Sequence, residues 1–106
     1  MKKRYMDHIA ATPMDPRVFE SMVPFLKEHF GNPQSLHSWG QESIEALEIA
    51  RQQVALLINA QPEEIFFTSS GSESNNMAVK GLAEAKRKQG NHVLVSAVEH
   101  QSILHS

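Results

Sequence analysis

Apolar side chains recur four apart at Val18, Met22, Leu26 and Phe30, with polar residues between them. That spacing puts them on one face of an amphipathic helix. Asp15-Pro16 supplies its start, an N-cap followed by proline at the first helical position. Pro24 is predicted to kink it by displacing the bond to the Glu20 carbonyl, and Gly31-Asn32-Pro33 to end it. The stripe itself reads as core packing. From Glu42 onward, Ile44, Leu47, Val54 and Ile58 mark a second, longer helix, with Glu45, Glu48, Arg51 and Gln52 on its other face, and residues 59–62 stop it. The run 65–68 (IFFT) has the composition of a short buried strand. Met77, Val79, Leu82 and Ala83 then predict a helix reaching Gln89, with Lys86, Arg87 and Lys88 in its last turns and Gly90 just beyond. Residues 92–96 (HVLVS) read as a second strand, and a further helix begins within 99–102. Residues 5–14 show no periodicity and read as an extended arm.

A strand, a helix and a strand joined by so long a crossover predict a βαβ unit, hence a parallel pair and an α/β fold class. Two strands alone leave both sheet edges open, whereas parallel sheets are covered on both faces. The chain therefore reads as a piece of a larger protein: an extended arm over 1–14, helices and a loop over 15–62, and over 63–106 the beginning of an α/β domain.

Composition narrows the function more than the fold. With 106 residues, 41% hydrophobic and 21% charged, the chain suits one modest core. The net charge of -2 gives no basic excess of the kind that binds nucleic acid. No apolar run approaches the roughly 20 residues of a membrane helix. The basic start, Met1-Lys2-Lys3-Arg4, has no apolar segment behind it, so a secretory leader is not expected. Without cysteine, disulfides, thiolate metal sites and a cysteine nucleophile are excluded within these residues, and a cytoplasmic location is the default expectation. The histidines His8, His29, His92 and His105 show no metal-ligand spacing.

The candidate chemistry lies in TSSGSESNN, residues 68–76, between the first strand and the third helix. A helix start leaves its first N–H groups without intrahelical partners and carries partial positive charge, so it suits an anion. Gly71 lets an anion approach the backbone closely and Ser72 adds a hydroxyl. Ser70-Gly71-Ser72-Glu73 has the form of a capping box, in which Glu73 curls back to the Ser70 N–H and turns its charge aside. The alternative is a well-capped helix with no ligand. Neither G-x-x-x-x-G-K-[ST] nor G-x-G-x-x-G occurs, so no nucleoside triphosphate or dinucleotide site is indicated.

Four segments, MDHIAATPMDPRV, FGNPQSLHSWG, IFFTSSGSESNN and HVLVSAVEH, together resemble the N-terminal quarter of a cysteine desulfurase. These are pyridoxal 5'-phosphate (PLP) enzymes of fold type I in the class V aminotransferase group. The resemblance implies a partial PLP-transferase fold, with the βαβ unit belonging to the large domain and the N-terminal helices flanking it. It also implies that the anion is the PLP phosphate, held by Gly71 and Ser72. His100, in the VEH motif, would stack on the pyridine ring and take part in proton transfer; imidazole is flat and titrates near neutrality. Asn32, Ser35 and His37 match a loop that borders the active site across the family's dimer, although their residue types are also those of simple turn chemistry.

The implied activity is transfer of sulfur from L-cysteine, giving L-alanine and an enzyme persulfide, for a sulfur-acceptor or scaffold protein in iron–sulfur cluster assembly. The implied parent is a homodimer. The lysine that holds PLP, the aspartate on its ring nitrogen and the sulfur-accepting cysteine lie downstream in the family, so the isolated chain is expected to be inactive. Other class V enzymes, such as a selenocysteine lyase, and a non-catalytic phosphate-binding α/β fragment are the alternatives. Two departures stand out. Ser70 occupies a position where the family usually has glycine, which raises the question of a positive φ there. Ile9 and Ala11 replace polar residues that in the family lie near the substrate.

Overall fold

A computed structural model describes residues 3–106. The elements in order are α1 (Pro16–Lys27), α2 (Ser38–Leu57), a single 3-10 turn (Pro62–Glu64), α3 (Gly71–Ala85) and α4 (Gln101–Leu104). They fall into two compact units, Met1–Ile65 and Phe66–Ser106.

In the first unit, Asp15 caps α1 by accepting the Arg17 N–H at 2.9 Å, and its carboxylate also pairs with the Arg17 guanidinium at 2.8 Å. That pairing, with the backbone bond to Arg17 adding to it, holds the Asp15 carboxyl below the usual carboxylate range. The helix runs through Pro24 and ends at Lys27, with Glu28 as its cap, short of the expected Gly31-Asn32-Pro33 stop. Its apolar stripe does not form a core: Val18, Met22 and Leu26 are all exposed. Phe30 instead meets Trp39 edge to face, ring centroids 5.1 Å apart.

The next helix, α2, starts at Ser38, ahead of the expected Glu42, because His37 serves as its N-cap and accepts the Gly40 N–H through Nδ1 at 3.4 Å. It ends in a Schellman arrangement: Asn59 takes a left-handed φ of 56°, the Asn59 N–H donates to the Leu56 carbonyl and the Ala60 N–H donates to the Ala55 carbonyl. The 3-10 turn packs back on α2, and Ala55 and Ile65 are the buried apolar residues among those described. Arg51, whose Nε donates to Glu48 Oε1 at 3.1 Å, also donates to the Ile65 carbonyl. Gly40 is buried against the preceding loop, where a Cβ would overlap the Ser35 and Asn32 carbonyl oxygens.

The second unit overturns the fold class. Among the described residues there is no strand, so the expected βαβ unit, the parallel pair and the α/β class are all absent. Runs 65–68 and 92–96 hold apolar residues of strand type, but a strand exists only as a ladder with a neighbour, and neither run has one. Apart from Ile65, their large apolar side chains are correspondingly open: Phe66 is 68% and Leu94 85% exposed. The single modest core expected from chain length is likewise replaced by two lightly packed units. Helix α3 ends at Ala85 rather than Gln89, with Lys86 as its cap, and Gly90 does not adopt the left-handed conformation of a helix stop. The second half of α3 and the extended run 92–96 border a groove of about 940 Å³ lined by Val79, Leu82, Ala83, Val93 and Val95.

Candidate cofactor site at the start of helix α3

The 15-residue helix α3 begins at Gly71 with Ser70 as its N-cap. Ser70 is fully extended, φ -164°, a conformation open to any residue, so a serine in place of glycine causes no backbone strain there. Its Oγ accepts the Glu73 N–H at 3.3 Å and its carbonyl accepts the Ser74 N–H at 3.1 Å. The other half of the expected capping box is displaced by one residue. Glu73 Oε2 accepts from the Ser69 N–H and the Ser69 hydroxyl, each at 2.7 Å, and not from the Ser70 N–H. These two bonds, the hydroxyl's contribution first, hold the Glu73 carboxyl below the ordinary glutamate range and hence ionised near neutrality.

The hydroxyls around this turn are otherwise spent internally. Thr68 Oγ1 lies 2.6 Å from Ser74 Oγ and donates to the Ser70 carbonyl at 3.1 Å. Among the described residues, no acceptor pairs with the Gly71 N–H, the Ser72 N–H or the Ser72 hydroxyl. A Cβ built on Gly71 would meet open space. Three unpaired donors therefore lie in the first turn, at the positive end of a four-turn helix, with the Glu73 carboxylate drawn onto Ser69. That donor set fits a phosphate. The groove beside residues 79–95 contains none of these groups.

His100 is exposed and stands at the N-cap of the short helix α4, which packs on α3. Its Nδ1 accepts the Ser102 N–H at 3.1 Å and lies 2.8 Å from Ser102 Oγ. Ser102 Oγ in turn accepts from Asn75 Nδ2 at 2.7 Å, across 27 residues of sequence. Asn75 sits one turn into the helix that Gly71 opens. Neither Asn75 nor Ser102 stands out from sequence, because their relevance comes from a contact between two helices. Asn32, Ser35 and His37, by contrast, perform turn chemistry: Asn32 accepts the Gln34 and Ser35 N–H groups at 2.9 Å through its side chain and carbonyl, and His37 caps α2.

Residues 4–106 match the family model for aminotransferase class-V. The chain belongs to the class-V aminotransferase family. Within the family it is 48% identical over 105 residues to a cysteine desulfurase IscS of Clostridium botulinum, covering 99% of this chain and 26% of that protein. It is 44% identical over 106 residues to a putative cysteine desulfurase IscS 1 of Bacillus subtilis, covering 100% of this chain and 28% of that one. The human cysteine desulfurase is 49% identical over 107 residues, covering 100% of this chain and 23% of its own length. A solved NifS-like protein superposes with a TM-score of 0.85 at 39% identity, covering 93% of this chain and 27% of that one. The chain thus spans about a quarter of the length of the family members it matches. No helix among the described residues is long and apolar enough to cross a membrane.

Proposed function

We propose that this chain is the N-terminal portion of a PLP-dependent cysteine desulfurase. The reaction moves sulfur from L-cysteine to an enzyme thiol, so that L-cysteine and the thiol give L-alanine and an enzyme persulfide. The sulfur would pass on to an acceptor or scaffold protein for iron–sulfur cluster assembly. A homodimer in the cytoplasm belongs to the same reading. So does the division into an arm over 1–14, a helical segment over 15–62 and a cofactor-holding segment over 63–106.

The observation that carries the reading is the set of unpaired donors at Gly71 and Ser72, beside a glutamate whose charge is drawn aside. The names of the relatives support the choice of reaction. When bound, PLP supplies an electron sink for bond breaking at the amino-acid carbons. Gly71 and Ser72 hold its phosphate, which orients the ring without taking part in the chemistry. His100 offers a planar face for the ring and an exposed imidazole that holds or moves a proton through Nε2, since Nδ1 is engaged by Ser102.

The test uses the protein that carries this chain, purified with PLP. Cofactor absorbance together with alanine formed from L-cysteine is the expected result. PLP bound without any alanine formed would overturn the desulfurase reading, and no PLP bound would overturn the cofactor assignment.

A further inference from the structure

The Asn75–Ser102–His100 chain has a direction that its donors dictate. A backbone N–H can only donate, so the Ser102 amide 3.1 Å from His100 Nδ1 requires that nitrogen to be an acceptor. In a neutral imidazole the proton then resides on Nε2. The Ser102 hydroxyl, 2.8 Å from the same nitrogen, donates to it as well. That leaves the oxygen lone pairs of Ser102 for the Asn75 amide, which donates at 2.7 Å. Each donor thus has an acceptor, and the three groups polarise one another in one sense. Asn75 and Ser102 are half-buried while the His100 ring is exposed, so the shielded pair anchors a ring that solvent alone would let rotate.

We propose that Asn75 and Ser102 are positioning residues for His100: Ser102 holds Nδ1 as an acceptor and Asn75 holds the Ser102 hydroxyl, so that the ring keeps one orientation and presents Nε2–H. The functional meaning rests on the reading of His100 as the residue beside PLP; the hydrogen-bond arrangement itself does not. A ring held this way is a proton donor at Nε2 in its neutral form.

The experiment is an NMR measurement on the ¹⁵N-labelled protein that carries this chain, with and without PLP. The wild type is expected to show the Nε2–H tautomer at His100 and a ¹⁵N–¹⁵N coupling across the hydrogen bond from the Ser102 amide to Nδ1. Ser102→Ala and Asn75→Leu are expected to weaken or abolish that coupling, and Ser102→Thr to restore it. In the same protein both disrupting variants are expected to lower kcat by about 10- to 100-fold, the range seen when a partner that orients a functional group is removed, with PLP affinity unchanged. A wild-type ring with its proton on Nδ1 would overturn the proposal, even if a variant fails to fold. So would a coupling that survives both disrupting substitutions. If the coupling behaves as expected while the protein forms no alanine, the positioning role stands and the desulfurase reading falls.

Discussion

Glu73 reaches back to Ser69, four residues earlier, and its Oε2 accepts from both the amide and the hydroxyl of that residue at 2.7 Å. The bond links the last extended residues before α3 to the first helical turn. It also fixes which donors of that turn stay open, because the carboxylate is occupied on the Ser69 side while the Gly71 and Ser72 amides have no acceptor among the described residues.

The first prediction follows from the acidity of Glu73. Its folded value lies below the ordinary one, through its bonds from Ser69. The stabilisation from this carboxylate is therefore complete above the ordinary glutamate range, near about 4.3, and is lost as pH falls through the lowered folded value. Hydrogen exchange at the Ser69 amide, followed on acidification, is expected to accelerate in that window. Glu73→Gln is expected to remove the pH dependence there; unchanged acid sensitivity in that variant would contradict it.

Ser70 accepts the Glu73 amide and caps α3. Ser70→Ala is expected to destabilise this helix by about 1 kcal/mol, whereas Ser70→Gly is expected to cost only a few tenths. Denaturant titration monitored by helical circular dichroism separates the two. The extended φ of Ser70 means that glycine gains nothing from a positive φ here.

A methyl group at Gly40 would overlap the Ser35 carbonyl, which is backbone and has no flexible end to move. Gly40→Ala is therefore expected to push the loop away from α2 and to speed exchange of the Ser35 and Gly40 amides, both of which are bonded in the native turn. Gly71→Ala is the matched control: its methyl enters open space, and the fold is expected to persist. Exchange rates at Gly40 that do not change in Gly40→Ala would show that the loop yields at no cost.

On the cofactor reading, Ser72→Ala removes one hydroxyl donor to the phosphate and leaves the two amides. PLP affinity of the protein that carries this chain is expected to fall about tenfold or more, the size of one charge-assisted hydrogen bond. Equilibrium dialysis with PLP measures it. Equal affinity in the two proteins would remove Ser72 from the phosphate site.

The packing of α2 on the 3-10 turn leaves no room at Ala55, which is 1% exposed. Ala55→Leu is expected to cost about 1–3 kcal/mol by overpacking, read as a lower denaturant midpoint. A midpoint equal to that of the native chain would show that the turn simply moves aside.

Three helix starts were legible in the sequence, while that of α2 lies ahead of the expected Glu42 because His37 caps it. Asp15-Pro16 opens α1, Ser70 caps α3 and the stretch beginning at Glu99 opens α4, as their residue types require. Helix ends were less so. The basic run 86–88 and Gly90 read as the close of α3, yet the helix stops at Ala85, because the residues that follow hydrogen-bond in short turns of their own. In the candidate site, the anion-suited turn at Gly71 and Ser72 could be picked out from its glycine and hydroxyls. The exchange of Ser70 for Ser69 as the partner of Glu73 could not, since both amides lie within reach of the same side chain.

What the sequence determined by itself was mainly what a few neighbouring residues decide among themselves: caps, the Asn-based turn before α2, and the helical periods of the first three helices. Each is closed by atoms no more than about four residues apart, so composition and order suffice. The tertiary structure alone decided that 65–68 and 92–96 form no ladder, that the α1 stripe stays exposed, and that Asn75 and Ser102 meet beside His100. Ladders, burial and cross-helix bonds each need a partner far along the chain, and hydrophobic pattern names the residues able to pair without saying which of them come within reach.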